Sequence, residues 1–422
     1  VAFLHADTLI NDVKTLLSIS STQKPSIASV NNARFQKGDN KQHYAEKSYK
    51  TQSIALTDRQ GQQADLLNNI NTAPLGLPAA PIPEDNLVSA AKIALGRKLF
   101  FDRRLSLNNT FSCAMCHIPE QGFSSNEMAT AVGIEGRSVR RNSPTIYNVA
   151  YATKLFHDAR ENTLEQQVWG PLLAQNEMGN PSVGYVIDKI KALSEYQGLF
   201  VQSFNSDVNM LTLGQALASY QRSLVSANSS FDRWYFGKQT DAVSDSVKRG
   251  FAIFNGKGAC SSCHIIESKH AIFTDNQTHN TGIGYRESMQ ILPEIRNIQV
   301  APGVFIEVDQ QAISAVSAVK VNDLGEYEIT QDPQDRWKYK TPTLRNIALT
   351  APYMHNGSLT TMTDVIQFYN QGGVDNATLD PLIKPLDLHA TEKDDLLAFL
   401  LALTGSNVQE LVADAYNAPI GN

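Results

Sequence analysis

Two Cys-x-x-Cys-His motifs, Cys113-Ala114-Met115-Cys116-His117 and Cys260-Ser261-Ser262-Cys263-His264, account for all four cysteines of the chain. They constrain the fold more than any other feature, because each has to present two thiols and an imidazole to one prosthetic group. Thiols at this spacing add to the two vinyl groups of one haem, and the histidine that follows reaches the iron from the proximal side. A structural zinc site built from the two cysteine pairs leaves both histidines unused, and a thioredoxin-like redox pair needs no histidine. The sequence therefore predicts two covalently bound c-type haems.

A chain of 422 residues is long enough for two or three domains with sizeable cores. Its 42% hydrophobic and 18% charged residues describe an ordinary globular protein. The net charge of -6 argues against a nucleic-acid partner, since phosphate binding draws on clustered Lys and Arg, and it leaves a basic electron-transfer partner open. The apolar run Leu396 to Leu403 is less than half of what a bilayer-spanning helix requires, so no membrane span is expected. Asp7, Asn11, Asp12 and Lys14 interrupt Val1 to Ile19, which does not read as a signal peptide. Covalent haem attachment nevertheless implies export, so a bacterial periplasmic protein whose signal peptide has been removed is expected.

Along the chain, residues 1–80 read as an N-terminal extension: Leu9, Val13 and Leu16 have helical spacing, whereas Gln23 to Asn71 is polar and turn-rich. Such a segment either wraps the core or binds a partner, or it is a loosely ordered arm. From Asn86 to Phe101 apolar residues recur with helical spacing before the first motif, and Val247, Phe251 and Phe254 do the same before the second. The pattern predicts a duplicated unit of helix, turn and haem motif. Further helices are expected over Leu164–Leu173, Val183–Leu193 and Leu213–Val225, with a last one capped by Thr391-x-x-Asp394 and ended by Gly405. Strand patterns are confined to Val304–Val308 and Tyr327–Thr330, in an apparent insertion from about Gln299 to Gln334. The predicted fold is mainly α, with two cytochrome c-like haem domains, 81–240 and 241–422, packed around an interface.

From about Leu95 to Gly405 the chain resembles the bacterial di-haem cytochrome c peroxidase superfamily, which includes the MauG proteins. The segments that carry the resemblance are Leu95-Gly-Arg-Lys-Leu-Phe-Phe-Asp102, Arg141-Asn-Ser-Pro-Thr145, Gly170-Pro171 with Glu177-Met178, Thr343-Leu-Arg-Asn346 and Ala351-Pro-Tyr-Met-His-Asn-Gly357. The resemblance implies a peroxide-reactive haem in the N-terminal domain, an electron-transfer haem in the C-terminal domain and a calcium ion between them. Calcium would be bound by oxygens of Asn142, Thr350 and Pro352; these neutral ligands suit a hard cation but leave much of its shell to water. The plainer reading makes them turn residues.

Resting members of this superfamily often carry a distal histidine in the loop after the first motif; here Gly133 stands at that position, within Met128 to Arg137. The first iron is therefore expected to be open to hydrogen peroxide, with Met128 as the alternative ligand. By resemblance Glu177 is the distal acid–base group, Gln167 orients peroxide or water, and Pro171 limits the cavity; the bland alternative for Glu177 is a surface or capping carboxylate. At the second haem, His264 is proximal and Tyr369 stands where classical members place a methionine ligand, the MauG-like arrangement. Phenolate favours Fe(III); the alternative is that Tyr369 packs in the core and Met354 or Met362 binds the iron. The usual inter-haem tryptophan is replaced by His157, in Leu155-Phe-His-Asp-Ala-Arg160, which disfavours hopping through that position. Trp169 is either another redox-active aromatic or core packing.

Three functions follow. The first is a peroxidase drawing electrons from a small cytochrome c or cupredoxin. The second is a MauG-like maturase that oxidises tryptophan or tyrosine of a partner protein. The third is a non-enzymatic di-haem carrier, against which Glu177 beside an open iron argues.

Overall fold

The computed structural model describes residues 64–290, 294–301, 304–316 and 322–416. The helix expected around Leu9, Val13 and Leu16 and most of the polar stretch from Gln23 lie outside these residues. The end of that stretch, Leu66–Asn71, is a short helix with Leu66 and Ile70 buried.

The described chain is mainly helical. Its longer helices are α1 (Ala90–Phe101), α2 (Val183–Ala192), α3 (Met210–Ser223), α4 (Asp245–Asn255), α5 (Met362–Asn370), α6 (Ala390–Leu401) and α7 (Val408–Ala415). Strands β1 (Thr278–His279), β2 (Ile295–Ala301), β3 (Val304–Asp309) and β4 (Tyr339–Lys340) form two small antiparallel sheets, β1 with β4 and β2 with β3. Helices start where side chains satisfy their free N–H groups: Ser89 accepts from Lys92 N, Ser244 from Val247 N, and Asn209 and Thr212 form a reciprocal box. Each such cap stabilises its helix by about 1 kcal/mol.

Two large hydrophobic clusters organise the fold. Helices α1 and α3 supply Leu99, Phe100, Leu217 and Tyr220 to the first, and α4, α5 and α6 supply Phe254, Ile366 and Phe399 to the second. In both, a helix pair crosses so closely that one partner has no room for a side chain. A Cβ on Gly96 of α1 would stand 1.9 Å from Ala216 O of α3, and one on Gly250 of α4 would stand 1.9 Å from Asp395 O of α6. Helix α7 belongs to the first cluster, through Val408, Leu411, Val412 and Ala415, although it ends the described chain.

Several local expectations are corrected. Tyr327–Thr330 is a helical turn, closed by bonds such as Glu328 N to Gly325 O, because a four-residue alternation does not distinguish a strand from a turn of helix. Val304–Val308 does lie in a strand. Leu164–Leu173 forms two short helices, Leu164–Gln167 and Trp169–Leu173. Helix α6 begins at Ala390, capped by His389 and Glu392 and not by Thr391 and Asp394: Glu392 accepts from His389 N, and the imidazole accepts from Glu392 N. It is also followed by α7, so it is not the last helix.

Candidate functional site

Each Cys-x-x-Cys-His motif opens as a 3-10 turn, Cys113–Met115 or Cys260–Ser262, in which the histidine N–H bonds back to the first cysteine carbonyl. His117 Nδ1 faces Phe123 O at 3.1 Å, and His264 Nδ1 faces Phe273 O at 2.9 Å. A carbonyl only accepts, so Nδ1 carries the hydrogen and the Nε2 lone pair is left for a metal. Phe123 and Phe273 both sit at positive φ, 51° and 59°, a conformation that costs a bulky residue about 1–3 kcal/mol. Their rings are fully buried, and this packing holds the unfavourable backbone in place. Burial lowers the pKa of both imidazoles, which keeps them neutral and able to ligate.

The two cysteine pairs belong to different clusters, Cys113 and Cys116 to the first and Cys260 to the second, which excludes one four-cysteine zinc site. Burial pushes the thiols of Cys113, Cys116 and Cys260 up to about 12. Neutral sulfur of this kind suits thioether formation with haem better than thiolate ligation of zinc.

A cavity lies against the first motif, lined by Cys113, Cys116 and His117 together with Gln167, Pro171 and Glu177. Phe100, Ile146 and Leu217 give it apolar walls, the composition expected of a prosthetic-group pocket. Desolvation raises the Glu177 pKa, opposed by the positive charge of Arg160. Gly133 fixes the position of that carboxyl-bearing segment: a Cβ there would stand 2.2 Å from Asn176 O and 2.8 Å from Glu177 Cα, and Ile134 N donates to Glu177 O at 3.0 Å. The space a distal side chain needs at position 133 is filled by the backbone that carries Glu177. Met128 is 47% exposed and does not line the cavity. Trp169 is buried in the first cluster.

At the second motif, Tyr369 near the end of α5 is electrostatically coupled to Cys260 and Cys263, and burial with these sulfurs pushes its phenol well above the usual range. Of the residues near this haem motif that could compete with Tyr369, two are engaged elsewhere. Met362 packs in the second cluster, and His355 stacks on Tyr339 with ring centroids 3.5 Å apart. His279 Nδ1 lies 2.6 Å from Asp380 Oδ2, and its Nε2 lies 2.8 Å from Asp275 Oδ2. Its pKa is raised to about 10 by Cys263 first and by the two carboxylates, against desolvation. The Cys263 contribution vanishes once that sulfur is alkylated; the carboxylates remain.

His157 joins the two sites. Its Nε2 donates to Asn142 O at 2.9 Å and its carbonyl accepts from Lys340 N at 2.7 Å. Burial lowers its pKa to about 4, so it is a neutral hydrogen-bond bridge. The prolines that follow these partners, Pro144 and Pro342, lie beside His117 and His264 respectively. Of the proposed calcium residues, Asn142 donates its N–H to His355 O at 2.7 Å and its amide Nδ2–H to Ala129 O at 2.9 Å, which leaves Oδ1 available beside the segment carrying Thr350 and Pro352.

Reading the sequence missed Phe123, Phe273 and the His279 cluster. It also missed an internal echo, Ser143-Pro-Thr-Ile-Tyr-Asn148 against Thr341-Pro-Thr-Leu-Arg-Asn346. That echo was the available signal: both asparagines adopt φ 61°, and Thr145 and Thr343 hydroxyls make matching bonds to Gly122 O and Ile272 O.

Comparison with known proteins agrees with this geometry. Residues 90–240 match the family described as di-haem cytochrome c peroxidase. The chain is 38% identical over 341 residues to cytochrome-c peroxidase IdrP1 of Pseudomonas sp. (strain SCT), covering 78% of this chain and 85% of that protein. It is 34% identical to methylamine utilization protein MauG of Methylorubrum extorquens, covering 77% and 81% respectively. Among solved structures, a MauG-like protein associated with microbial copper homeostasis superposes with a TM-score of 0.65 at 29% identity, covering 82% of this chain and 98% of that one. The chain thus belongs to the di-haem cytochrome c peroxidase family and is a peroxidase-type oxidoreductase with two c-type haems.

Proposed function

We propose that this protein activates hydrogen peroxide at the first haem, held by Cys113, Cys116 and His117, and draws electrons through the second, held by Cys260, Cys263, His264 and Tyr369. The observation that carries the reading is the cavity that Gln167, Pro171 and Glu177 line together with His117. When bound there, the haem supplies an iron that coordinates peroxide and accepts electrons. Glu177 would hold and move the proton, taking it from one peroxide oxygen and returning it to the other, leaving oxygen. Its raised pKa brings the carboxyl closer to the pH at which it has to do both. The Gln167 amide orients the bound oxygen, and the Pro171 ring keeps the cavity narrow.

Electrons come from a small cytochrome c or cupredoxin in the periplasm, the compartment implied by covalent haem attachment. The first haem occupies domain 81–240 and the second domain 241–422, a division the two clusters follow except that Phe231, Trp234, Tyr235 and Phe236 pack in the second cluster and α7 returns to the first. Calcium fits Asn142, Thr350 and Pro352 as a hydrated ion, through the free Asn142 Oδ1 and main-chain oxygens. No helix of the described residues is long and apolar enough to cross a membrane.

A second reading, oxidation of tryptophan or tyrosine in a partner protein, is favoured by two features. Backbone fills the space of a distal histidine at Gly133, and Tyr369 faces the second motif. Glu177→Gln tests the shared step: it should retain both haems yet react with peroxide slower by roughly two to four orders of magnitude in stopped-flow absorbance. Parent-like rates would remove Glu177 from the mechanism. Turnover with reduced cytochrome c then separates the peroxidase from the maturase.

A further inference from the structure

Helix α7 returns from the second half of the chain to the first cluster, where Leu411, Val412 and Ala415 join Phe100, Phe123 and Tyr220, and it lies on the turn Pro119–Gln121. At its C-terminal cap, the Tyr416 phenol donates a hydrogen bond to the Glu120 carboxylate. Glu120 stands three residues beyond His117. Aromatic rings also lead outward from that imidazole: Phe100 is 6.4 Å away, Phe123 a further 6.4 Å, and Tyr147 5.2 Å beyond. Tyr147 in turn feels the charge of Glu120.

A phenol is readily oxidised only when its proton leaves with the electron, so a base on the phenolic oxygen decides which tyrosine can serve. Tyr147 and Tyr220 are buried with hydroxyls that have no hydrogen-bond partner. Tyr196 and Tyr416 each donate to a carboxylate, Asp102 at 2.8 Å and Glu120 respectively, and of these two carboxylates only Glu120 stands three residues beyond the motif histidine. The second half of the chain provides an internal comparison, because Glu267 also stands three residues beyond its motif histidine. That carboxylate is 60% exposed and faces His270 Nε2 at 3.4 Å. The arrangement of base and phenol therefore belongs to the first motif.

We propose that Tyr416 is a redox-active tyrosine that supplies one electron to the first haem site after peroxide has oxidised it, while its phenolic proton passes to Glu120. Peroxide takes up two electrons and two protons to give two waters: Tyr416 provides one electron, the donor protein provides the other through the second haem, and the two protons come from solvent. The products on the chain are a neutral phenoxyl radical and a protonated Glu120. An electron from the donor protein and the proton held by Glu120 restore the phenol. The inference rests on peroxide chemistry at the first haem.

The test is freeze-quench electron paramagnetic resonance of the ferric holoprotein mixed with one equivalent of hydrogen peroxide, without donor. A radical signal is expected that narrows when the protein carries ring-deuterated tyrosine, and it should fall at least tenfold in Tyr416→Phe. Glu120→Gln keeps the phenol but removes its base, so the radical yield should also fall. Should either variant lose its haem, peroxide treatment of the parent with a nitroso spin trap locates the radical by mass spectrometry, with the adduct expected on Tyr416. An undiminished signal in Tyr416→Phe, or an adduct elsewhere, overturns the assignment. If peroxide changes the haem absorbance and no tyrosyl radical forms, the proposed function stands and this inference fails. If the absorbance does not change, both fail.

Discussion

Around His117, Phe100 tilts against the imidazole at 6.4 Å and 46°, and Phe123 O receives Nδ1; around His264, Phe254 lies at 6.4 Å and 45°, and Phe273 O receives Nδ1. The rest of the two surroundings shares nothing comparable. Gln167, Pro171 and Glu177 line the cavity at the first motif, and Tyr369 lies by the second, with His279 between two aspartates nearby. Both halves must fix an imidazole by the same means, so the duplicated scaffold persists where it holds that ring. It diverges where the two sites face different ligands. A further difference is structural: Tyr147 and Arg345 occupy equivalent places in the echoed segment, and Arg345 forms a fully buried ion pair, with Asp232 at 2.9 Å.

That last difference is the one most easily broken. Asp232→Asn leaves the Arg345 guanidinium buried beside a neutral amide and should destabilise the protein by about 3–5 kcal/mol, measured by denaturant unfolding of the holoprotein. The distal contrast is sharpened by Tyr369→Met, which should raise the potential of the second haem, on the order of tenths of a volt within the span axial ligands command. Spectroelectrochemistry should show the first haem unmoved. Gly96→Ala and Gly250→Ala test the shared scaffold, since each Cβ meets a backbone oxygen at 1.9 Å. Both should lower stability by roughly 1–3 kcal/mol and by similar amounts; a large inequality would break the equivalence of the two crossings.

The smallest effect concerns the pH dependence of stability. Burial raises the folded-state pKa of Glu177, so its ionised form is the penalised one. The protonated carboxyl gives full stability below the ordinary glutamate range, and stability declines as pH rises through the raised value. Glu177→Gln removes that decline. Its melting temperature should exceed the parent's at neutral pH and match it in acid.

The haem motifs and the helices leading into them were legible because cysteine spacing and helical periodicity are local signals. The pocket residues Gln167, Pro171 and Glu177 were named through resemblance, since a glutamate on a turn carries no mark of the cavity it faces. Tyr327–Thr330 was misread because four residues hold too little periodicity to separate strand from helix. The capping box of α6 was misplaced because His389 is an uncommon cap beside Thr391. Phe123 and Phe273 escaped because their contribution is a backbone carbonyl turned by positive φ, which leaves no trace in side-chain type. The return of α7 to the first cluster was invisible for a different reason: amphipathic spacing says that a face will be buried and not against what.

That return has a consequence for biosynthesis. A chain emerges from its N-terminal end, so Cys113 and Cys116 are made long before Leu411, Val412 and Ala415, which complete the hydrophobic cluster around them. The earlier of the two haem-binding motifs is thus the one whose surroundings close last. Until α7 docks, the cluster beside the first cysteine pair lacks one of its helices, which leaves the attachment machinery an interval for loading that haem. The helix that seals the fold also ends that interval.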